Sequence, residues 1–279
     1  MKGHSTQLLL LSLIVAGGAV LSSCTSKGAK DVAQALKEGI AEGQSDSDSN
    51  SDDETYSAPT TADWDVSGNT MTYGDHTYTI DGNIDAEQYV PSSKAKVTFT
   101  NVPSDYEEFR TVYEEFLGKS IYGVTAMLPM AFELWGRDHE VGKQCIALIT
   151  GGTCYNEIMR QLPDHMVANE HAPAGDGYAQ RCLPAAILEG ATKENGYNPK
   201  YPYTVNITIG QKARWAEESE ILQAYCYHLY LISGNAWNTP QRSVTVMRQW
   251  RGDGLYRINN CSALYINIFV PRQDWNGLK

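Results

Sequence analysis

Apolar and polar residues alternate over residues 70–80, TMTYGDHTYTI, on both sides of a Gly74-Asp75 step. A period of two marks a strand with one buried face, and Gly-Asp suits a two-residue turn, so the segment predicts a β-hairpin. Asp81-Gly82-Asn83 ends it. Residues 94–100 alternate again, with Ala95, Val97 and Phe99 on one face, and predict a third strand. After Pro103 the period becomes helical: Tyr106, Phe109, Val112, Tyr113, Phe116 and Leu117 recur at one-face spacing. Ser104 and Glu107 stand at capping-box spacing, and Gly118 stands where a C-terminal glycine belongs. A more hydrophobic, buried helix is predicted over residues 121–135, with Pro129 as a kink. Asp138 is the expected N-cap of a helix that reaches Ile149 and stops at Gly151-Gly152. Thr153 is expected to cap a further helix ending at Pro163, and residues 178–189 to form another with Pro184 at a kink or boundary.

Beyond Pro202 the alternation of strands returns. Tyr203, Val205, Ile207 and Ile209 interleave with Thr204, Asn206 and Thr208. Residues 221–232 form a long aromatic-rich run, residues 242–250 alternate with Val244 and Val246 on one face, and residues 255–258 follow a Gly252-Asp253-Gly254 turn. Strands, then helices, then strands predict an α+β fold: a helical block over about residues 104–190 packed on a mainly antiparallel sheet, formed largely by the C-terminal strands. No internal repeat interrupts this order, and residues 63–279 are of a length that suits a single domain.

The first 62 residues are built differently. Lys2 precedes an apolar run over residues 8–20, too short to span a bilayer as a helix and suited to a secretory signal over residues 1–23. It ends in Leu21-Ser22-Ser23-Cys24, the pattern of a bacterial lipobox, so Cys24 is the expected lipidation site. Several acyl chains on one cysteine would hold the chain on a membrane where one chain would not. Val32, Leu36 and Ile40 recur every four residues and suit a short helix near the lipid. Residues 44–62, QSDSDSNSDDETYSAPTTA, carry too few apolar groups to fold, and their like charges keep them extended as a spacer. The Asp-Ser repeat lacks the glycine and terminal glutamate of a calcium-binding loop. The organisation expected is therefore a signal (1–23), a lipidated tether and acidic linker (24–62), and an α+β domain (63–279).

Charge follows the same division. The chain carries −11, of which −5 belongs to residues 24–62 and −7 to residues 63–279, offset by Lys2. The domain is mildly acidic without a basic stripe, which argues against nucleic acid as a partner.

The run Val97-Thr98-Phe99-Thr100-Asn101-Val102-Pro103-Ser104-Asp105-Tyr106-Glu107-Glu108-Phe109, followed by Phe116-Leu117-Gly118, resembles an uncharacterised family of bacterial envelope lipoproteins of the Bacteroidetes type. Ala131-Phe132-Glu133-Leu134-Trp135, Tyr197-Asn198-Pro199, Pro202-Tyr203-Thr204-Val205 and Arg242-Ser243-Val244 with Leu255-Tyr256-Arg257 fit the same pattern. The resemblance covers roughly residues 95–275. It implies an envelope location and a domain of unknown function, and it supplies no catalytic residue.

Candidate chemistry is sparse. With Cys24 lipidated, Cys145, Cys154, Cys182, Cys226 and Cys261 remain; an oxidising compartment permits disulfides among them, and the spacing does not choose the pairs. Cys226 and His228 share a face of a regular strand and are the first candidates for a nucleophile and base. His165 and His171, expected in a loop after Pro163, are six apart instead of the four a helical metal site needs. Asp138-His139-Glu140 reads as the acidic first turn of a helix. Glu107-Glu108 and Glu114-Glu115 read as solvated pairs on a helix surface, and Arg251-Gly252-Asp253 as part of a turn. No phosphate-binding, dinucleotide or serine-nucleophile motif is present, and neither a cofactor nor a metal is expected.

The aromatic composition is the unusual feature: seventeen tyrosines against five phenylalanines. Tyrosine fits a half-exposed sheet face, and it also fits a binding surface, because it buries a ring and keeps a polar tip. Tyr225, Tyr227 and Tyr230, with Trp215 and Trp250, are the candidate ligand platform for a saccharide, a peptide or another protein. The function expected is a lipid-anchored, non-catalytic binding or structural module of the cell envelope, at the outer membrane, with an envelope hydrolase at a Cys/His or His/acid site as the alternative.

Overall fold

The structure, a computed structural model, describes residues 62–82, 90–166, 182–212, 223–232 and 241–265, together with Leu278. The expected signal, Cys24 and the acidic linker lie outside the described residues.

Eight strands form one antiparallel sheet in chain order: β1 (Trp64–Ser67), β2 (Thr70–Tyr73), β3 (His76–Asp81), β4 (Lys94–Phe99), β5 (Tyr203–Lys212), β6 (Ala224–Ile232), β7 (Gln241–Gln249) and β8 (Arg257–Asn260). The sheet curls into a half-barrel. Among the described residues the α-helices all enter between β4 and β5: α1 (Tyr106–Glu115), α2 (Ile121–Arg137), α3 (His139–Ile149), α4 (Gly152–Met166) and the single turn α5 (Leu183–Ala186). The α+β order and the antiparallel sheet expected from the patterning are what the chain forms.

One face of the sheet is apolar and packs on the helices. Tyr78, Ile80, Val97, Phe99, Val205, Ile207, Leu229, Val244 and Ile258 lie in one continuous core with α1–α5. The alternate positions of β2–β5 carry Thr70, Thr79, Thr98, Thr204, Asn206 and Thr208, and the Thr70–Thr79 and Thr98–Thr204 hydroxyl pairs lie 3.2 Å apart. β-branched, weakly polar residues suit a pleated outer face.

α2 is the centre of the core: every residue from Ile121 to Trp135 is buried. It packs on α3, α5 and strands β4, β7 and β8. Pro129 sits inside it, since packing on all sides outweighs the lost backbone hydrogen bond. Its neighbour α3 comes so close that a Cβ at Gly142 would overlap the Trp135 backbone. Asp138 caps α3 as expected, accepting from the Glu140 and Val141 amides at 2.8 and 3.1 Å.

Four expectations need correction. β1 is an additional strand; all four of its residues are exposed, so it carries no alternation to read. The N-cap of α1 is Asp105 instead of Ser104, and Gly118 lies in a 3-10 turn (Leu117–Lys119) whose tight approach to Tyr113 leaves no room for a side chain. α4 continues through Pro163 to Met166, which places the His165 backbone in the helix instead of a loop. The predicted helix over residues 178–189 is represented by the short α5, with Pro184 in its first turn where a missing amide costs nothing; residues 178–181 lie outside the described residues.

Candidate functional site

β6 pairs with β7 without a break from Ala224 to Ile232, so successive residues part to opposite faces. Tyr227, Leu229 and Leu231 join the core with the helices, whereas Cys226 sits apart from it against Met247. Tyr225 shares the parity of Tyr227 but stands at the start of the strand, past the edge of the core, and is 38% exposed. Across from it, β7 runs out at Gln249 into Trp250, which is 42% exposed. The Trp250 amide donates to the Gln223 carbonyl at 2.7 Å, holding the two strand ends together, and the Tyr225 and Trp250 rings lie 6.0 Å apart and tilted by 55°.

Aromatic groups continue inward from this open pair. Arg248, opposite Tyr225 in the register, places its guanidinium carbon 5.2 Å from the centre of the Tyr256 ring. Tyr256 is buried and meets Tyr227 edge-on at 5.9 Å. Below Trp250, the turn over residues 251–254 is braced by Asp253. Its carboxylate accepts both Arg257 terminal nitrogens, at 3.1 and 2.6 Å, and the Leu255 amide at 3.0 Å. That pairing holds the Asp253 carboxyl below the ordinary range.

The three platform tyrosines therefore have three settings. Tyr225 is open beside Trp250. Tyr227 is buried, and burial pushes its phenol upward. Tyr230 is on the opposite face, where its ring covers Gly210; a Cβ there would come within 2.9 Å of it. Trp215 lies outside the described residues.

A second cluster, not singled out by the sequence reading, joins the β2–β3 hairpin to α1. Glu108 was expected on a solvated surface, and Glu107 is indeed exposed, but Glu108 is 2% exposed. One carboxylate oxygen takes the Tyr78 hydroxyl at 2.7 Å and stands 2.6 Å from His76 Nδ1; the other accepts the Ser104 amide at 2.7 Å. The overlapping pattern Asp105-x-x-Glu108 was the available signal. His76 Nε2 lies 3.7 Å from Asp75, so both ring nitrogens face carboxylates. A nucleophilic relay needs the second nitrogen to face a hydroxyl or thiol.

Cys226 and His228 do share a face, as expected. Burial raises the Cys226 thiol and lowers the His228 imidazole, and both shifts favour the neutral forms over a thiolate–imidazolium pair. His228 Nδ1 is 3.4 Å from the Thr245 hydroxyl on β7. His139 stacks on Trp135 at 4.1 Å, in the first turn of α3. The side chain of His165 and all of His171 lie outside the described residues. Cys145 and Cys182 are buried thiols, each pushed up to about 12 by burial. Cys154 and Cys261 meet, with their sulfurs 4.0 Å apart. Among the described residues no group of three or more His, Cys, Asp or Glu is arranged to hold a metal ion, and no helix is long and apolar enough to cross a membrane.

Residues 101–272 match a protein family described as Domain of unknown function (DUF6935), a span running from the end of β4 past β8. No curated protein and no solved structure matches.

Proposed function

As the chain belongs to the DUF6935 family, a domain of unknown function, we propose its role from its own residues: a lipid-anchored, non-catalytic binding module of the bacterial cell envelope. The anchoring part rests on Lys2, the apolar run over residues 8–20 and the Leu21-Ser22-Ser23-Cys24 end, and the acidic spacer after it suits a domain lifted off a membrane, taken as the outer membrane.

The binding part is carried by one observation, the open Tyr225–Trp250 pair at the paired ends of β6 and β7. Two tilted, half-exposed rings offer an apolar surface for the C–H face of a sugar ring, and exposed Gln223, Gln249 and Arg251 at the same end supply hydrogen-bond donors. A saccharide is the ligand this combination favours. The hydrolase alternative, on Cys226 and His228 or on His165 and His171, draws no support from the neutral forms favoured at the first pair.

Two experiments test the two parts. Labelled palmitate supplied to cells should enter the wild-type chain and not Cys24→Ala, which should leave the membrane fraction. The detergent-solubilised chain, screened on saccharide and peptide arrays, should bind saccharides, and Trp250→Ala should abolish that signal. Binding to peptides alone, or saccharide binding unchanged in Trp250→Ala, would overturn the saccharide reading.

A further inference from the structure

The elements that carry Cys154 and Cys261 are locked side by side by the backbone. Thr150 forms a bridge with Ile258 of β8, and the Gly151 amide donates to the Ile258 carbonyl at 3.0 Å. α4 begins at Gly152, so Cys154 lies in its first turn; Cys261 follows β8 directly, three residues after Ile258. One anchoring point thus fixes both cysteines, which are 107 residues apart in the chain, and brings their sulfurs to 4.0 Å. Both are buried, and the Tyr265 hydroxyl lies 3.7 Å from Cys261 Sγ.

We propose that Cys154 and Cys261 form a disulfide that fastens the start of α4 to the end of β8, leaving Cys145, Cys182 and Cys226 as thiols. A disulfide needs about 2.0 Å between sulfurs, so the 4.0 Å pair must close by about half to form the bond. The partner is specific to this pair: Cys145 and Cys182 lie in core positions on α3 and before α5, and Cys226 sits on the other side of the sheet against Met247. A cleft of about 410 Å³ is lined by Glu157, Gln161, Ser262, Ala263 and Tyr265, the last of which reaches Cys261 through its hydroxyl.

The chemistry is thiol–disulfide exchange with a disulfide-bearing oxidant, either a small molecule or a thiol oxidoreductase. One cysteine, as thiolate, attacks the oxidant's disulfide, forming a mixed disulfide and expelling one oxidant thiolate. The second cysteine loses its proton and attacks the first cysteine's sulfur, expelling the other oxidant thiolate. The two protein thiols lose two electrons and two protons, and the oxidant disulfide becomes two thiols. The adjoining Cys154 thiol, and then burial, hold Cys261 well above the ordinary thiol range, so exchange in the folded chain is slow near neutrality and quickens as pH rises.

Occurrence in the cell rests on the proposed export to an oxidising compartment, but the purified protein tests the pair directly. The reduced full chain is incubated with oxidised glutathione at pH 8.5, alkylated in denaturant and mapped by mass spectrometry. The expected result is one bridge joining the Cys154 and Cys261 peptides, with Cys145, Cys182 and Cys226 alkylated, and a melting temperature about 5–10 °C above that of the reduced chain. Cys154→Ala and Cys261→Val should each show no bridge and no shift, and two different small replacements guard against a single variant that fails to fold. Full alkylation of both Cys154 and Cys261 after oxidation, or a bridge that joins either of them to another cysteine, would overturn the proposal. A bridge formed in vitro but absent from chain isolated from cells would leave the pairing intact and count against export.

Discussion

Two clusters of the same ingredients, aromatic rings beside charged groups, behave in opposite ways. At β2, β3 and α1, Tyr78 and His76 turn inward onto Glu108, and the carboxylate also takes the Ser104 amide. At the ends of β6 and β7, Tyr225 and Trp250 turn outward, and the nearby charges are occupied in fixing the backbone: Asp253 holds Arg257 and the Leu255 amide. The first cluster spends its polar atoms on itself and is a joint between hairpin and helix. The second uses polar contacts to present two rings to solvent. Residue type alone does not separate a joint from a surface; the direction of each side chain and the saturation of its hydrogen bonds do.

The strongest way to break the contrast is at the joint. Glu108→Ala removes the acceptor for a buried phenol, a backbone amide and the His76 ring, and should lower unfolding free energy by about 3 kcal/mol. Urea denaturation measures it. Glu108→Gln keeps one acceptor oxygen and the shape, and should cost about half as much. Tyr78→Phe leaves the ring in the core and deletes one donor, for a loss of about 1 kcal/mol. A loss below a few tenths of a kcal/mol for Glu108→Ala would mean that the cluster is not a joint.

The open pair should give the reverse pattern. Trp250→Ala at an exposed position should change stability by no more than about 0.5 kcal/mol, while weakening saccharide binding at least tenfold, a loss of about 1.4 kcal/mol. A Trp250→Ala chain that unfolds with a large loss of stability would place this pair in the same class as the Glu108 cluster. Isothermal calorimetry and urea denaturation on the same preparation separate the two outcomes.

Much of the fold was legible in the sequence because it rests on local periodicity. The hairpin at residues 70–80, β4, β5, β7 and the helices around α1–α3 all announce themselves by a period of two or of three to four. What failed to show was set by tertiary direction. Ser104-x-x-Glu107 and Asp105-x-x-Glu108 are equally good caps on paper; the second wins because Glu108, not Glu107, faces Tyr78 and His76. Pro129 inside α2 was legible, whereas α4 runs on through an exposed Pro163 where the local proline rule predicts an end. The platform was partly legible, since Tyr225 and Tyr227 share a parity that Tyr230 does not. The Tyr225–Trp250 contact joins residues far apart in sequence and depends on the β6–β7 register, and the Cys154–Cys261 approach depends on the Thr150–Ile258 bridge. Neither register is written in composition or spacing.

The smallest expected effect concerns the brace beneath the open pair. Asp253 is held below its unfolded range, first by the hydrogen bonds from Arg257, which outweigh an opposing effect of burial, and further by the Leu255 amide. A carboxyl with a depressed folded value contributes stability that is present above the unfolded value, near 3.9, and is lost as pH falls through the folded one. Asp253 is 46% exposed, so solvent screening keeps this contribution below about 1 kcal/mol. Glu133 on α2 runs the other way. Burial raises its carboxyl despite Arg137 and the Leu278 amide, so the folded state gains stability as pH falls from its raised value towards about 4.3. Stability of the wild type should therefore decline less steeply than its acidic composition suggests until pH is near 4, then fall as Asp253 is protonated. Asp253→Asn should remove the part of that fall that belongs to the brace while leaving the Glu133 gain in place. An identical acid limb in wild type and Asp253→Asn would show that the turn beneath Trp250 holds its shape without the carboxylate, and the brace would drop out of the account of how the open pair is presented.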